Sequence, residues 1–173
     1  MTLPADAKQI TTVILDIDGV LTDGRVGYGA GSDEEIKFFF VRDGLGLSLL
    51  RQVGLKVGAL SGRKSGANAR RARELSFDFL YEDCQSKLEG FQRLLADLQV
   101  TPEQCLYVGD DLLDLPVMRR VGIAVAVGDA VAEARAVAHW QLSTPGGRGA
   151  VREMAERLLK ARGQWELVLQ KYE

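Results

Sequence analysis

A short apolar segment that ends in two aspartates restricts the fold of this chain more than any other feature. Residues 12–15 are β-branched or aliphatic, which predicts a buried strand. Asp16 and Asp18 follow directly, and Gly19 then allows the chain to turn. Because ligands of open parallel sheets bind outside the carboxyl ends of the strands, this segment predicts two carboxylates at the mouth of such a sheet.

The pair Asp16 and Asp18 has both a structural and a functional interpretation. A strand that merely ends in a polar turn would carry the same residues. Alternatively, two carboxylates this close repel each other, and a cation relieves the repulsion. Mg²⁺ is the expected cation, because it is usually held by one or two carboxylates together with phosphate oxygens of a substrate. The rest of the chain has to decide between these interpretations.

Length and composition predict a single globular domain that spans residues 1–173. The chain is 46% hydrophobic and 27% charged, and its net charge of −2 gives no general affinity for nucleic acid. Cys84 and Cys105 are the only cysteines, too few for a disulfide framework or a zinc site. No signal peptide or membrane span is recognisable, so we expect a cytoplasmic protein without nucleic-acid or membrane partners. The only histidine, His139, has no neighbour that could orient it as a base, so acid–base chemistry falls to carboxylates.

Apolar strand-like segments alternate with helical ones along the chain. This order predicts an α/β, Rossmann-like parallel sheet with helices on both faces. Strands are expected at residues 12–15, 55–60, 77–80, 105–108, 123–127 and 139–142. Helices are expected at residues 45–53, 67–75, from 87 onward, and at 116–120, 131–137 and 151–161, before a C-terminal tail of about residues 162–173.

A glycine-rich insertion follows the first strand and predicts a β-hairpin over about residues 24–41, with its turn near residues 30–33. Three consecutive aromatic residues, 38–40, lie in its second arm. Since alternate strand residues face opposite sides, at least one aromatic ring points away from its own sheet. Packing on the parent domain and contact with another subunit both explain it. The predicted hairpin, helix and strand already occupy the interval between Asp23 and Ser61. This leaves no room for a cap domain, so we expect a capless fold.

Polar residues recur where other predicted strands end. Ser61 ends a strand just before a helix that begins near Ser65, a suitable place for phosphate oxygens. Lys87 lies in the first turn of a helix capped by Ser86, where a cation is unfavourable unless an anion compensates or the side chain reaches solvent. A further strand ends in an acidic cluster: Asp110, Asp111 and Asp114. Solvation alone explains this convergence poorly.

Together, these motifs resemble the four signatures of the haloacid dehalogenase-like phosphohydrolases, in order and over about residues 13–127. The resemblance implies that Asp16 is the nucleophile and that Asp18 is the general acid and base. It implies that Ser61 and Lys87 bind phosphoryl oxygens. It also implies Mg²⁺ held by Asp16, Asp110 and the backbone carbonyl of Asp18. Asp111 would order water at the metal, and Asp114 would position Lys87.

A longer resemblance, over nearly the whole chain, is to the phosphatases that act on 3-deoxy-D-manno-octulosonate 8-phosphate. It rests on residues 18–24, the hairpin, and residues 41–44, 62–64, 114–118 and 146–153. It implies a cytoplasmic, Mg²⁺-dependent homotetramer in lipopolysaccharide sugar synthesis, acting on a small phosphorylated sugar acid. The residues then expected to bind the substrate, besides Asp18, Ser61 and Lys87, are Phe40, Val41, Arg42, Asp43, Gly44, Gly62, Arg63 and Arg71.

Three of these residues, Arg42, Arg63 and Arg71, are candidates for the substrate carboxylate, because guanidinium binds carboxylate bidentately. Two other functions stay open. The substrate could be another ulosonic acid phosphate, such as a nonulosonate 9-phosphate. The chain could also be a non-catalytic assembly module of a sugar-nucleotide pathway, although the intact pair Asp16 and Asp18 argues against that.

Overall fold

The computed structural model describes residues 6–29 and 34–172. Within them, a six-stranded sheet runs in the order β5–β4–β1–β6–β7–β8 with every neighbouring pair parallel, which confirms the expected α/β class. The strands are β1 (Thr12–Leu15), β2 (Gly27–Tyr28), β3 (Glu35–Ile36), β4 (Lys56–Leu60), β5 (Phe79–Tyr81), β6 (Cys105–Gly109), β7 (Ile123–Ala126) and β8 (Trp140–Gln141).

The helices cover both faces of the sheet. They are α1 (Val41–Gln52), α2 (Gly66–Glu74), α3 (Lys87–Leu98), α4 (Leu115–Met118), α5 (Ala132–Val137), α6 (Ala150–Ala161) and α7 (Trp165–Leu169). The chain crosses from β1 through β4 to β5 in one direction and returns through β6, β7 and β8 in the other. Right-handed crossovers therefore place α1 and α2 on one face and α3, α4 and α5 on the opposite face. α6 packs against α1.

β1 lies at the centre of the sheet, and its position places the acidic residues. All four of its residues are buried, and Leu15 pairs with Ala59 of β4 on one side and Val108 of β6 on the other. Because the three strands run parallel and in register, their carboxyl ends meet at one edge. The residues that follow β1, β4 and β6 must therefore lie side by side.

The hairpin is shorter than the sequence predicted. β2 and β3 pair antiparallel over two residues each, and the predicted turn at residues 30–33 lies outside the described residues. The aromatic run is not a strand, because α1 begins at Val41, four residues before its predicted start at Leu45. Strand propensity of the aromatic residues is overridden by their tertiary setting. Among the described residues between Asp23 and Ser61, only β2, β3, α1 and β4 are regular elements.

Smaller boundary shifts occur elsewhere. β5 begins at Phe79 rather than residue 77, and α4 ends at Met118, two residues before the predicted end. The tail forms α7 and a 3₁₀ turn at Gln170–Tyr172. Over the described ranges, no helix combines the length and apolarity that a bilayer crossing requires.

Candidate active site

A cleft of about 540 Å³ opens at the carboxyl edge of the sheet. Asp16 follows β1, Ser61 follows β4, Asp110 follows β6, and Lys87 enters from the first turn of α3. The remaining lining residues are Asp18, Gly62, Arg63, Cys84, Gln85, Asp111, Leu113 and Asp114. The structure thus brings together in one cleft the polar residues that the sequence placed at separate strand ends.

Lys87 joins two of the acidic residues. Its Nζ lies 2.8 Å from Asp16 Oδ1 and 2.6 Å from Asp114 Oδ1, and the side chain is almost fully buried. Burial would lower the pKa of Lys87, but the two carboxylates outweigh it and raise the pKa above its ordinary value. These carboxylates are the anions that a cation in the first turn of a helix requires.

Asp114 is held by donors on all sides. Its Oδ1 accepts a hydrogen bond from the Tyr107 hydroxyl at 2.6 Å as well as from Lys87. Its Oδ2 accepts the backbone N–H groups of Asp110 at 2.9 Å and Asp111 at 3.2 Å. Asp114 therefore positions Lys87 and shapes the turn after β6, and it has no oxygen free to bind a metal.

Asp16 and Asp110 face each other, and their charge is only partly compensated, by the ion pair between Lys87 and Asp16. Burial raises the pKa of Asp16 to about 6, opposed by Lys87. Burial, followed by the charges of Asp16 and Asp114, raises the pKa of Asp110 to about 8. Asp110 Oδ1 is buried, and no described residue hydrogen-bonds to it. One oxygen from each of Asp16, Asp110 and Asp114 lies within 4.8 Å of the others. With Asp114 committed elsewhere, Asp16 and Asp110 are the pair that fits a divalent cation.

Gly19 permits this close approach of the carboxylates. It has a φ of +102°, a conformation that side-chain-bearing residues rarely adopt, and a Cβ added there would lie 2.1 Å from Asp110 Oδ2. Any other residue after Asp18 would displace either Asp110 or the loop that carries Asp18.

The carboxylate of Asp18 is paired with two cationic side chains, which come from segments other than the strand ends that carry the acidic residues. Lys37 Nζ donates to its two carboxylate oxygens at 2.7 and 2.9 Å, and Arg63 Nε lies 3.6 Å away. Glu35 bridges the two cations, 3.6 Å from Lys37 Nζ and 3.2 Å from Arg63 Nη1. The Lys37 side chain is fully buried. This cluster links the second arm of the hairpin to the cleft.

Ser61 and the segment after it form another wall. Ser61 is buried, and its Oγ accepts the backbone N–H of Arg63 at 3.1 Å. α2 begins next to Ser65, as the sequence predicted, and the Ser65 side chain caps the helix by accepting the N–H of Ala67. Glu82 Oε1 accepts the backbone N–H of Ser65 at 3.1 Å and so fixes the segment that carries Arg63.

Several predicted substrate-binding residues do not line the cleft of their own chain. Phe40 and Arg42 border a separate recess beside α6, while Val41 is 81% exposed. Asp43 is buried against the start of α6, and the Arg71 guanidinium lies over the Phe39 ring and beside Gly44. Of the three candidate arginines, Arg63 alone lines the cleft.

The sequence did not single out Lys37, Glu35 or Tyr107. Lys37 lies in an apolar, strand-like segment. A charged residue in such a segment needs a partner, and that was the feature that could have indicated its role. Tyr107 was assigned to a buried strand, where a hydroxyl requires a partner. His139 accepts the backbone N–H of Ala124 at 2.9 Å and does not line the cleft.

The parallel sheet and the acidic cleft at its carboxyl edge define a class of α/β hydrolase. The sequence profile of the haloacid dehalogenase-like hydrolases matches residues 63–153, and the chain belongs to this family, as its motifs predicted. The 3-deoxy-D-manno-octulosonate 8-phosphate phosphatase of Yersinia pestis is 42% identical over 160 residues, 92% of this chain and 85% of the relative.

Solved structures show the same relationship. The phosphatase of that name from Moraxella catarrhalis, in complex with a magnesium ion, a phosphate ion and a KDO molecule, superposes with a TM-score of 0.93 at 35% identity, covering 97% of this chain and 96% of that chain. The cobalt-bound form of the deoxy-D-mannose-octulosonate 8-phosphate phosphatase from Haemophilus influenzae superposes with a TM-score of 0.89 at 39% identity, covering 94% of each chain.

Proposed function

We propose that this protein is a Mg²⁺-dependent phosphomonoesterase that hydrolyses 3-deoxy-D-manno-octulosonate 8-phosphate to the free sugar acid and phosphate. The observation that carries the proposal is the cleft itself, where Asp16, Asp18, Asp110 and Lys87 meet at the carboxyl edge of the sheet. The near-full-length similarity to phosphatases of this sugar phosphate supports the substrate.

In the first half of the reaction, an Asp16 oxygen attacks phosphorus in line with the ester bond. The new P–O bond forms an aspartyl-phosphate while the bond to the sugar oxygen breaks. Asp18 donates a proton to that oxygen, because an alkoxide is a poor leaving group. Lys87, already 2.8 Å from Asp16, neutralises phosphoryl charge together with the Ser61 hydroxyl.

In the second half, Asp18 accepts a proton from water, and the water oxygen attacks the phosphorus of the aspartyl-phosphate. The bond to Asp16 breaks and phosphate leaves, which restores the Asp16 carboxylate and the protonated Asp18 carboxyl that began the cycle. One residue thus acts first as acid and then as base, so the two half-reactions require Asp18 to stay in place beside Asp16.

A divalent cation fits beside the carboxylates of Asp16 and Asp110. Asp16, Asp110 and the backbone carbonyl of Asp18 would hold Mg²⁺, with Asp111 ordering water at the metal. Lys87 only partly offsets the charge of Asp16, whose pKa is raised to about 6, while burial and the neighbouring carboxylates raise the pKa of Asp110 to about 8. Asp110 Oδ1 has no hydrogen-bond partner among the described residues, so a cation beside this pair is favourable. When bound, Mg²⁺ offsets negative charge on the nucleophile and on the phosphate.

We also propose that the protein is a cytoplasmic enzyme of lipopolysaccharide precursor synthesis and that it forms a homotetramer. Exposed apolar residues on and beside the hairpin support the homotetramer. Tyr28 is 69% exposed and Phe38 is 79% exposed, more apolar surface than a short ribbon ordinarily shows to water. Hairpins from neighbouring subunits would cover these rings and wall the open cleft. In such an assembly, Arg42 or Arg71 would reach the substrate carboxylate of a neighbouring subunit.

The proposal is tested by phosphate release from a panel of substrates at equal concentration. The panel contains 3-deoxy-D-manno-octulosonate 8-phosphate, a nonulosonate 9-phosphate and simple hexose phosphates, each with Mg²⁺ or with EDTA. Asp16→Asn is the matched control for contaminating phosphatases, because it changes one nucleophilic oxygen to an amide nitrogen and removes the charge.

We expect the highest kcat/KM for the octulosonate ester, no release with EDTA, and no release by Asp16→Asn. A higher kcat/KM for the nonulosonate ester would reassign the substrate within the same chemistry. Phosphate release by Asp16→Asn near the wild-type rate would contradict covalent catalysis. No hydrolysis of any panel member by the wild type with Mg²⁺ would favour a non-catalytic role.

A further inference from the structure

Two glycines after β8 lie directly against the backbone of the loop that carries Asp18. A Cβ added to Gly146 would lie 1.7 Å from the carbonyl oxygen of Gly19. A Cβ added to Gly147, whose φ is +64°, would lie 2.3 Å from the backbone nitrogen of Asp23 and 2.4 Å from the carbonyl carbon of Thr22. The neighbouring atoms are backbone and cannot rotate away, so the contact excludes any side chain.

Hydrogen bonds fix this contact on both sides. The N–H of Gly147 donates to the carbonyl of Val20 at 2.9 Å, and the N–H of Gly146 donates to Asp129 Oδ1 at 2.9 Å. Asp129 follows β7, and the N–H of Gly128 donates to the carbonyl of Thr144 at 2.9 Å. The two glycines are therefore held between the end of β7 and the Asp18 loop.

The loop that carries Asp18 has an irregular backbone. Asp18 and Gly19 have non-helical backbone angles, and the loop closes through the N–H of Thr22, which donates to the carbonyl of Ile17 at 3.0 Å. Asp16 has a separate anchor, because its N–H donates to Val108 of β6 at 3.0 Å and its side chain contacts Lys87. A shift of the glycine segment therefore moves Asp18 relative to Asp16.

We propose that Gly146 and Gly147 are positioning residues that set the location of Asp18 relative to Asp16 through backbone contact. This inference rests on the proposed function, because Asp18, the residue that the two glycines position, is the one that protonates the leaving group there. Phosphoryl binding by Lys87 and Ser61 does not depend on this contact. At saturating Mg²⁺, displacing the loop therefore impairs protonation of a leaving sugar more than attack on phosphorus, because Asp16 and Asp110 would still hold the metal when the Asp18 carbonyl moves.

The experiment compares kcat and KM of Gly147→Ala and Gly146→Ala on two substrates. The sugar phosphate has an alkoxide leaving group that requires protonation, and 4-nitrophenyl phosphate has a leaving group that does not. Gly163→Ala is the matched control, because Gly163 has a φ of +69° with nothing within 4 Å of its added Cβ. It carries the same conformational strain without the contact.

We expect Gly147→Ala to lose about 100-fold in kcat on the sugar phosphate, the order found for ~1 Å misplacements. KM for the sugar phosphate and turnover of 4-nitrophenyl phosphate should change much less. Gly163→Ala should stay close to wild type on both substrates. A loss by Gly147→Ala that is equal on both substrates, or no greater than that of Gly163→Ala, would overturn the inference.

Asp129 provides a milder perturbation that decides the question if neither glycine variant folds. Asp129→Ala removes the acceptor of the Gly146 N–H, whereas Asp129→Asn keeps a side-chain oxygen there. We expect a leaving-group-dependent loss in Asp129→Ala and its rescue in Asp129→Asn. Equal behaviour of these two variants on both substrates would refute the support role. Inactivity of the wild type on both substrates would instead contradict the proposed function.

Discussion

Asp114 illustrates how a single buried carboxylate organises the site. It is fully buried and accepts hydrogen bonds from Tyr107, Lys87 and two backbone N–H groups. A carboxylate in that position would be costly without these donors, because burial penalises an unpaired charge. The spacing of the acidic cluster indicated a function for Asp114. Its hydrogen bond from the Tyr107 hydroxyl of β6 depends on the tertiary structure and could be found only there.

Lys87→Met tests the charge balance of this network. The substitution leaves two buried carboxylates, Asp16 and Asp114, without their cation, so the free energy of unfolding in metal-free buffer should fall by about 3–5 kcal/mol. Urea denaturation measures it. Lys160→Met is the control, because Lys160 is 57% exposed and its pair with Glu156 is worth at most about 1 kcal/mol. Similar losses in the two variants would show that the Lys87 pairs add little.

Asp18→Asn tests the acid–base role. We expect turnover of the sugar phosphate to fall about 10²–10⁴-fold, the usual contribution of general acid–base catalysis, with a smaller loss for 4-nitrophenyl phosphate. Steady-state kinetics on both substrates measures the difference. Asp23→Asn is the control, because Asp23 pairs with the exposed Arg25 and does not line the cleft. Equal losses on alkyl and aryl esters in Asp18→Asn would argue against Asp18 as the acid.

At the level of elements, the sequence predicted the parallel strands and the acidic edge, but it predicted a second hairpin arm that is longer than the strand in the structure. The strands of the sheet core are apolar segments bounded by polar residues, so local pattern and burial agree. Residues 35–41 have the same local pattern, yet only Glu35–Ile36 form a strand. Phe39 packs under Arg71 of α2, and Lys37 turns inward to Asp18. These are contacts between distant segments, which no local pattern contains.

α1 and α6 are joined by a buried carboxylate. The backbone N–H of Arg152, at the start of α6, donates to Asp43 Oδ1 at 2.8 Å across 109 residues of sequence. The other oxygen of Asp43, Oδ2, is buried and accepts no hydrogen bond from the residues that the structure describes. Burial raises the pKa of Asp43 to about 6 from 3.8, against the opposing effect of N–H groups at the start of α6. Burial therefore favours the protonated Asp43 carboxyl, whereas the hydrogen bonds from the start of α6 favour the carboxylate.

Asp43→Asn should show this as a pH-dependent difference in stability. Since the folded-state pKa lies above the unfolded value of 3.8, folding binds a proton at Asp43, and the resulting stabilisation is lost as pH rises through about 6. Relative to Asp43→Asn, the wild type should lose about 2.4 kcal/mol in free energy of unfolding between pH 4 and 7. Urea denaturation at several pH values measures it, and the other titrating groups cancel in the comparison. A constant difference across this range would rule out the raised pKa.

On the scale of the whole molecule, two observations point to assembly. The described part of the chain leaves the cleft open, and several predicted substrate-binding residues lie outside it, among them Val41 at 81% exposure. Binding energy for the non-reacting part of a substrate requires walls around that part. Tyr28, Ile36 and Phe38 place exposed apolar surface on and beside the hairpin. A contact between hairpins would bury this surface and complete the clefts.

Phe38→Ser tests this assembly with little risk to the fold, because Phe38 is 79% exposed. We expect light scattering to show a tetramer for the wild type and smaller species for the variant. We also expect kcat/KM for the sugar phosphate to fall mainly through KM, since the chemical groups belong to one chain and the walls would come from its neighbours. Leu167→Ser is the control, because Leu167 is an exposed apolar residue of α7 at 55% and lies outside the hairpin. A monomeric Phe38→Ser variant with unchanged kcat/KM would refute the capping role, and a wild-type monomer would refute the tetramer.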